Sequence, residues 1–383
     1  MDRYDFLIVG AGFSGLVLAE RLTSMGKSCL VVDRRDHIGG NAHDAEDAAG
    51  VLIHRYGPHY FRTNSDRVRE YLSRFTTWHP VEYRVRSYSD GQYWSFPINL
   101  ATYEQLVGHE ATEDEFRAYL EEKRVPIEKP RNSEEVIVSQ VGWELYEKFF
   151  LGYTLKQWKR HPRELDTSVC GRIPIRTNRD DRYLRESFQA LPREGYWKLF
   201  ENLVEASPGL EIRLETAFEE VRDRIAYRHL IYTGPVDAFF GFRYGRLPYR
   251  SLRFEPESFR PEALRDRLSI SGKAGFWQPE MQVNYPNEQP FTRIVEIKHA
   301  TGQRCPNTTI LREYPQDFEG DAEPYYPIPN EETKALYARY AALAATERNV
   351  SFVGRLATYR YYNMDQVVAM ALAEFDRLRA RPS

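Results

Sequence analysis

Three observations predict an α/β protein. An apolar run, Tyr4 to Val9, leads at once into Gly10-Ala11-Gly12-Phe13-Ser14-Gly15 and an apolar helical pattern through Leu22 to Gly26. A second run, Ser28 to Val32, ends in Asp33. Far along the chain, Leu230 to Pro235 and Val350 to Arg355 each repeat a strand end followed by a glycine turn. Strand, tight turn and helix form the opening unit of a dinucleotide-binding fold, and its late returns imply a sheet completed by distant segments. The predicted class is α/β: a Rossmann-like nucleotide-binding domain, a helical insertion domain and an antiparallel β-sheet domain.

Each element has a local reason. Gly10 permits the turn, Gly12 lets the backbone approach a pyrophosphate, and Gly15 allows the helix to pack on its strand, leaving helix amides facing the anion. Asp33 is placed to accept hydrogen bonds from the hydroxyls of an adenosine ribose. The second glycine pair, in His37-Ile38-Gly39-Gly40-Asn41-Ala42, resembles the loop that flavoproteins of the glutathione-reductase type bring against FAD. The expected cofactor is FAD. The apolar-periodic helix from Met364 to Leu378 is expected to aim its N-terminus at that cofactor.

Residues 100 to 165 lack strand alternation and carry helical runs, Glu113 to Lys123 and Glu134 to Phe150. Residues 245 to 315 show short strand-like runs, Arg250 to Phe254 and Thr292 to Ile297, broken by Pro and Gly. The expected division is a discontinuous FAD-binding domain over 1–80, 190–245 and 345–383. A helical domain spans 98–185, and a sheet domain spans 81–97 and 246–344. Arginines gather between Arg160 and Arg193, where guanidinium forks suit a diphosphate.

Composition limits the function. With 42% hydrophobic and 28% charged residues the chain has the balance of a globular protein, and a net charge of -3 offers no global field for nucleic acid. Three dispersed cysteines, Cys29, Cys170 and Cys305, suit neither a disulfide framework nor a metal cluster, so no metal site is expected and a reducing cytoplasm is the natural reading. The apolar stretch from Phe6 to Leu18 is interrupted by glycines and lacks a basic leader, so it reads as strand, turn and helix rather than as a signal peptide. No apolar run approaches the roughly 20 residues needed to span a bilayer.

From about Tyr4 to Phe375 the chain resembles the bacterial UDP-galactopyranose mutases. The resemblance is carried by Gly39-Gly40-Asn41, Tyr56-Gly57-Pro58-His59-Tyr60-Phe61, Gly152-Tyr153-Thr154-Leu155-Lys156-Gln157-Trp158 and Arg172-Ile173-Pro174-Ile175-Arg176. It continues through Ile231 to Pro235, Tyr249 to Leu252, Thr292 to Ile294, Glu323 to Pro327 and Gly354 to Ala357. It implies an isomerase that interconverts the six- and five-membered ring forms of a UDP-linked galactose. In that chemistry reduced FAD attacks the anomeric carbon and expels UDP, which returns after the sugar has reclosed through another hydroxyl. No net electrons move, yet an external reductant such as NAD(P)H is needed. A homo-oligomer, cytoplasmic and serving cell-surface glycan synthesis, is the family expectation.

The resemblance also assigns roles. Arg172 and Arg293 resemble the pair that holds the diphosphate, with Arg172 on a loop that closes on substrate, and His59 matches the histidine beside the flavin's reactive nitrogen. These three are the catalytic candidates. Phe149 and Tyr153 resemble the platform for uracil, Trp158 lies on the sugar and diphosphate path, and Tyr325, Tyr326 and Tyr361 resemble hydroxyl donors to the diphosphate. Arg250 and Arg355 match arginines near the sugar and the flavin, and Arg176 is a further substrate candidate from the arginine-rich segment. The cofactor candidates are Gly10, Gly12, Phe13, Ser14, Gly15, Asp33, Arg34, Gly40, Asn41, Gly234, Arg355 and Met364.

Two departures bear on substrate. Asn363 stands where the family commonly has aspartate, which replaces an acceptor-only carboxylate with an amide that also donates. Arg62 stands where the usual pattern has histidine, as in related mutases that accept N-acetylated sugars, so UDP-N-acetylgalactosamine is an expected additional substrate. Competing readings are a flavin oxidoreductase, a nucleotide-sugar binding protein without catalysis, and a mutase for another nucleotide sugar such as dTDP-fucose.

Overall fold

A computed structural model of the protein describes residues 3–319 and 322–380. Its nucleotide-binding sheet has five parallel strands in the order Leu210–Arg213, Cys29–Val32, Arg3–Val9, Ala226–Tyr232, Val350–Phe352. Side chains alternate across it. Ile8, Val31 and Ile231 enter the main core beneath the helices Phe13–Thr23 and Met364–Arg379, whereas Leu7, Leu30, Val32 and Leu230 pack on the opposite face with Phe218 and Val221. Because both faces are covered, these strands read as continuous apolar runs. Gly15 permits the close seat of the first helix, since a Cβ there would collide with the Gly10 carbonyl oxygen.

The second sheet has seven strands in the order Tyr326–Pro327, Tyr249–Phe259, Thr308–Asp317, Arg293–Val295, Gln282–Asn284, Val85–Ser89, Gln92–Phe96. It is antiparallel except where Gln282–Asn284 runs parallel to Val85–Ser89, a pairing that joins segments too distant to be linked by a hairpin. A small antiparallel sheet of Phe61–Thr63, Phe188–Pro192 and Trp78–Pro80 stands beside the site described below.

The helix Glu113–Lys123 begins where the sequence predicts because Thr112 and Glu115 form a reciprocal capping box: the Glu115 amide donates to Thr112 Oγ1 at 3.3 Å, and the Thr112 amide donates to Glu115 Oε2 at 2.7 Å. The run expected from Glu134 to Phe150 is less regular. Helix Ser133–Tyr146 breaks at Gly142 (φ 77°), where a side chain would strike the Lys123 carbonyl. The chain then passes through a π-helical turn, Glu147–Leu151, into the helix Gly152–Trp158. That wide turn directs Phe149 and Phe150 inward. No helix among the described residues is long and apolar enough to cross a membrane.

Candidate active site

Two cavities meet inside the molecule. The first, about 540 Å³, runs along the carboxyl ends of the parallel strands, where α/β sheets bind their ligands. Gly10, Gly12, Phe13, Ser14, Asp33, Arg34, Gly40, Asn41, Gly234, Arg355 and Met364 all line it. Gly15 lies behind the wall, supporting the helix. Helix Phe13–Thr23 has Gly12 at its N-cap, no side-chain cap and no acidic residue in its first turn, so its leading amides remain available to an anion. The backbone segments forming the floor approach so closely that a Cβ on Gly40 would sit 3.1 Å from Gly12 Cα. This bare peptide cradle fits the pyrophosphate of FAD.

Asp33 is held by backbone donors, Ala11 at 2.8 Å and Arg35 at 2.9 Å, one on each oxygen. Each oxygen keeps further acceptor capacity for a ribose hydroxyl. Arg34 is largely exposed and pairs with Glu323 at 2.5 Å. Arg35 is the more deeply placed of the two. It pairs with Glu323 at 3.0 Å, donates to Asn41 Oδ1 at 2.7 Å and covers the Tyr56 ring at 4.3 Å. The dibasic pair after Asp33 is visible in sequence, but only the fold, by bringing Glu323 across, distinguishes its members.

The second cavity, about 350 Å³, lies between the helical segment and the seven-stranded sheet. His59, Arg62, Phe149, Tyr153, Trp158, Arg172, Arg293, Tyr325, Tyr326, Tyr361 and Asn363 line it. His59, Arg355 and Met364 border both cavities and so mark the point where they join. His59 Nδ1 donates to the Gly57 carbonyl at 2.8 Å, and burial drives the imidazole down to about 4. The ring is therefore neutral near pH 7, with Nε2 unprotonated. Its backbone amide is fixed by His54 Nδ1 at 3.0 Å.

Arg293 places Nε and Nη2 at 2.8 and 2.7 Å from one oxygen of the fully buried Glu313. Burial alone would lower this guanidinium, but Glu313 together with Tyr153, Tyr326 and Tyr83 outweighs it and keeps the charge in place. Arg172 has no carboxylate partner among the described residues and covers the Tyr361 ring at 5.3 Å. Arg355 covers the same ring at 4.9 Å and donates to the carbonyls of Tyr325 and Tyr362. Desolvation raises the Tyr361 phenol, but Arg172, Arg355, Arg62 and Arg293 together hold it below its ordinary value. The segment after Arg172 is tied down by Arg176 N to Ile98 O at 3.0 Å, Tyr183 N to Tyr83 O at 2.9 Å and a two-point Arg179–Glu104 pair.

Two expected substrate residues do not reach the wall. Arg176 spends its guanidinium on the carbonyls of Asp180 and Arg182, at 3.2 and 2.6 Å, closing the turn of its own loop. Arg250 is buried under the sheet, donating Nε to the Gln157 carbonyl at 2.9 Å and pairing with Asp317. Conversely, Tyr60, Tyr83, Tyr183, Glu186, Gln282 and Asn284 line the cavity without having been singled out in the sequence. Tyr83 donates to Gln282 Oε1, and Gln282 Nε2 donates to Asn284 Oδ1 at 2.8 Å. Nothing in the local sequence marks Tyr83 and Gln282, because only the parallel pairing of Gln282–Asn284 with Val85–Ser89 brings them together.

A parallel nucleotide-binding sheet that opens into an arginine- and tyrosine-lined chamber defines a flavoprotein of the dinucleotide-binding α/β class. Residues 8–75 match a family model described as an NAD(P)-binding Rossmann-like domain, and residues 148–361 match one described as UDP-galactopyranose mutase. The chain belongs to the UDP-galactopyranose mutase family, whose members are isomerases. It is 39% identical to a probable UDP-galactopyranose mutase of Klebsiella pneumoniae, over 98% of this chain and 95% of the relative. It is 33% identical to the dTDP-fucopyranose mutase of Escherichia coli, over 96% of each chain. A crystal structure of reduced UDP-galactopyranose mutase superposes with a TM-score of 0.73, at 17% identity, covering 98% of this chain and 95% of the other. At that identity the likeness establishes the fold.

Proposed function

We propose that the protein interconverts UDP-galactopyranose and UDP-galactofuranose and also accepts the 2-acetamido sugar, through Arg62. The observation that carries this reading is the meeting of the two cavities at His59, Arg355 and Met364, with Arg172 and Arg293 set in the second. Reduced FAD, when bound, supplies a nucleophilic ring nitrogen toward the anomeric carbon. Arg172 and Arg293 hold the diphosphate and stabilise its charge as the glycosidic bond breaks, a contribution of several kcal/mol. Neutral His59 offers an acceptor at Nε2 rather than a second cation. Phe149 and Tyr153 form an apolar wall for the flat uracil, and the surrounding aromatic rings exclude water.

Dithionite-reduced protein, kept anaerobic, is incubated with UDP-galactofuranose and separately with its 2-acetamido analogue, and the ring forms are resolved by chromatography. Conversion of both, with Arg62→His lowering the acetamido-to-galactose turnover ratio, is expected. An unchanged ratio in that variant removes Arg62 from specificity, and absence of conversion of either sugar overturns the substrate assignment. A second reading, favoured by the Escherichia coli relative, is a mutase for a dTDP-linked sugar. Tighter binding of dTDP than of UDP would select it.

A further inference from the structure

The arginines of the second cavity differ in charge compensation. Arg172 and Arg355 have no carboxylate partner among the described residues, so their positive charge is available to a diphosphate. Arg62 is different. Its Nε lies 3.0 Å from Glu186 Oε1, and the Asp365 carboxyl at the start of the last helix is near enough to interact electrostatically with it. Charge is thus balanced, but hydrogen-bonding capacity is not spent: the contact to Glu186 falls outside hydrogen-bond alignment, and Nε is buried without an acceptor. Beyond this ion pair, the four Nη N–H groups of Arg62 meet no acceptor among the described residues.

Glu186 is itself fixed. Thr63 pairs opposite Phe188 in the small sheet, which brings the segment just before Phe188 alongside Arg62. Ser187 donates its amide to Asn64 Oδ1 at 2.8 Å, and the Arg185 amide donates to Glu186 Oε2 at 3.1 Å. A guanidinium whose charge is cancelled but whose donors are free favours a neutral acceptor over an anion.

We propose that Glu186 is a specificity-determining positioning residue. It cancels the charge of Arg62 and holds the guanidinium in the cavity wall, so that its free N–H groups meet a neutral acceptor such as the amide carbonyl of a 2-acetamido sugar. The inference rests on the nucleotide-sugar reading of this cavity. Without Glu186, the Arg62 charge is released toward the diphosphate and the acetamido group loses its donor.

The test uses the FAD-loaded enzyme as wild type, Glu186→Gln, Glu186→Ala, Arg62→His and the Arg62→His/Glu186→Gln double variant. Two quantities are measured: the ratio of kcat/KM for the N-acetylated sugar to that for the galactose form, and the Kd for UDP at low and high salt. Glu186→Gln is expected to lower the ratio about tenfold, mainly through KM of the acetamido substrate. It is also expected to tighten UDP severalfold at low salt, with the gain lost at high salt. In the Arg62→His background the same change should alter neither quantity. An unchanged ratio in Glu186→Gln while Arg62→His lowers it overturns this inference and spares the specificity reading. An equal effect of Glu186→Gln with and without Arg62 also overturns it, since Glu186 would then act alone. If Arg62→His leaves the ratio unchanged, the specificity reading fails, and the positioning role fails with it unless UDP tightens in Glu186→Gln.

Discussion

Arg172 and Arg293 carry the same charge into one cavity but are held in different ways, and this separates the consequences of losing them. Arg172 covers the Tyr361 ring and has no carboxylate partner among the described residues, so Arg172→Ala removes a charge and leaves no buried ion behind. Turnover under reducing conditions should fall about 10²- to 10³-fold in kcat/KM, with the melting midpoint nearly unchanged. Arg172→Lys should recover only part of this, because an ammonium lacks the planar fork. Arg293→Ala strands Glu313, a carboxylate with no exposure and one oxygen already without a partner. That variant should lose activity and also about 3–5 kcal/mol of stability, measured by denaturant unfolding. Equal stability of the two variants would contradict the difference. Family resemblance singled out both arginines, whereas Glu313 is visible only once Arg293–Val295 pairs with Thr308–Asp317.

Between elements, Lys156 couples the helical segment to the sheet. Its Nζ donates to the carbonyls of Tyr285, Gln289 and Phe291, gathering one loop beneath the helix Gly152–Trp158. Burial pushes the ammonium down to about 8. The same helix presents Tyr153 and Trp158 to the second cavity, so the joint also supports that wall. Lys156→Met should cost about 1–3 kcal/mol by leaving buried carbonyls without a donor, and should weaken UDP binding. Thermal unfolding and UDP titration of the variant check both effects, and an unaltered UDP affinity would uncouple the joint from the site. Helix Glu113–Lys123 was legible from its own helical run, but the break at Gly142 was not, since its cause is the Lys123 carbonyl approaching from another helix.

For the whole molecule, acid sensitivity follows from buried and half-buried imidazoles. Burial holds His43 and His59 down at about 4 and His54 at about 3, all below the ordinary 6.5. Above 6.5 these rings are neutral in both folded and unfolded chains. As pH falls below that value the unfolded chain takes up protons that the folded chain refuses, so stability declines through the interval from 6.5 to about 4. Asp44 opposes the trend. Burial raises it to about 6 even though it accepts the amides of Tyr196 and Trp197, so the folded chain binds a proton there between about 6 and 3.8. Asp237, Glu313 and Asp365, which burial also raises, act with Asp44, and His37, which burial lowers, acts with the other rings. Because the imidazoles oppose folding from pH 6.5 downward, before the carboxyls take up protons, the melting midpoint should be lower at pH 5 than at pH 7.5. A midpoint equal or higher at pH 5 would contradict the dominance of the imidazoles.

What the sequence determined by itself is set by short-range physics. Glycine spacing and strand runs act over a few residues, so the nucleotide-binding unit was legible from Gly10 to Asp33, the expectation of FAD from Gly39 and Gly40, and the return of the sheet at Leu230 and Val350 from the same strand-and-turn pattern. Family resemblance extended this to the arginines and tyrosines of the second cavity. Tertiary structure decided which of them face it. Arg176 and Arg250 turn away because closer acceptors, the Asp180 and Arg182 carbonyls and Asp317, capture them. Glu186 and Gln282 enter because strand pairing delivers them from distant positions, and no local pattern encodes a partner more than a hundred residues away.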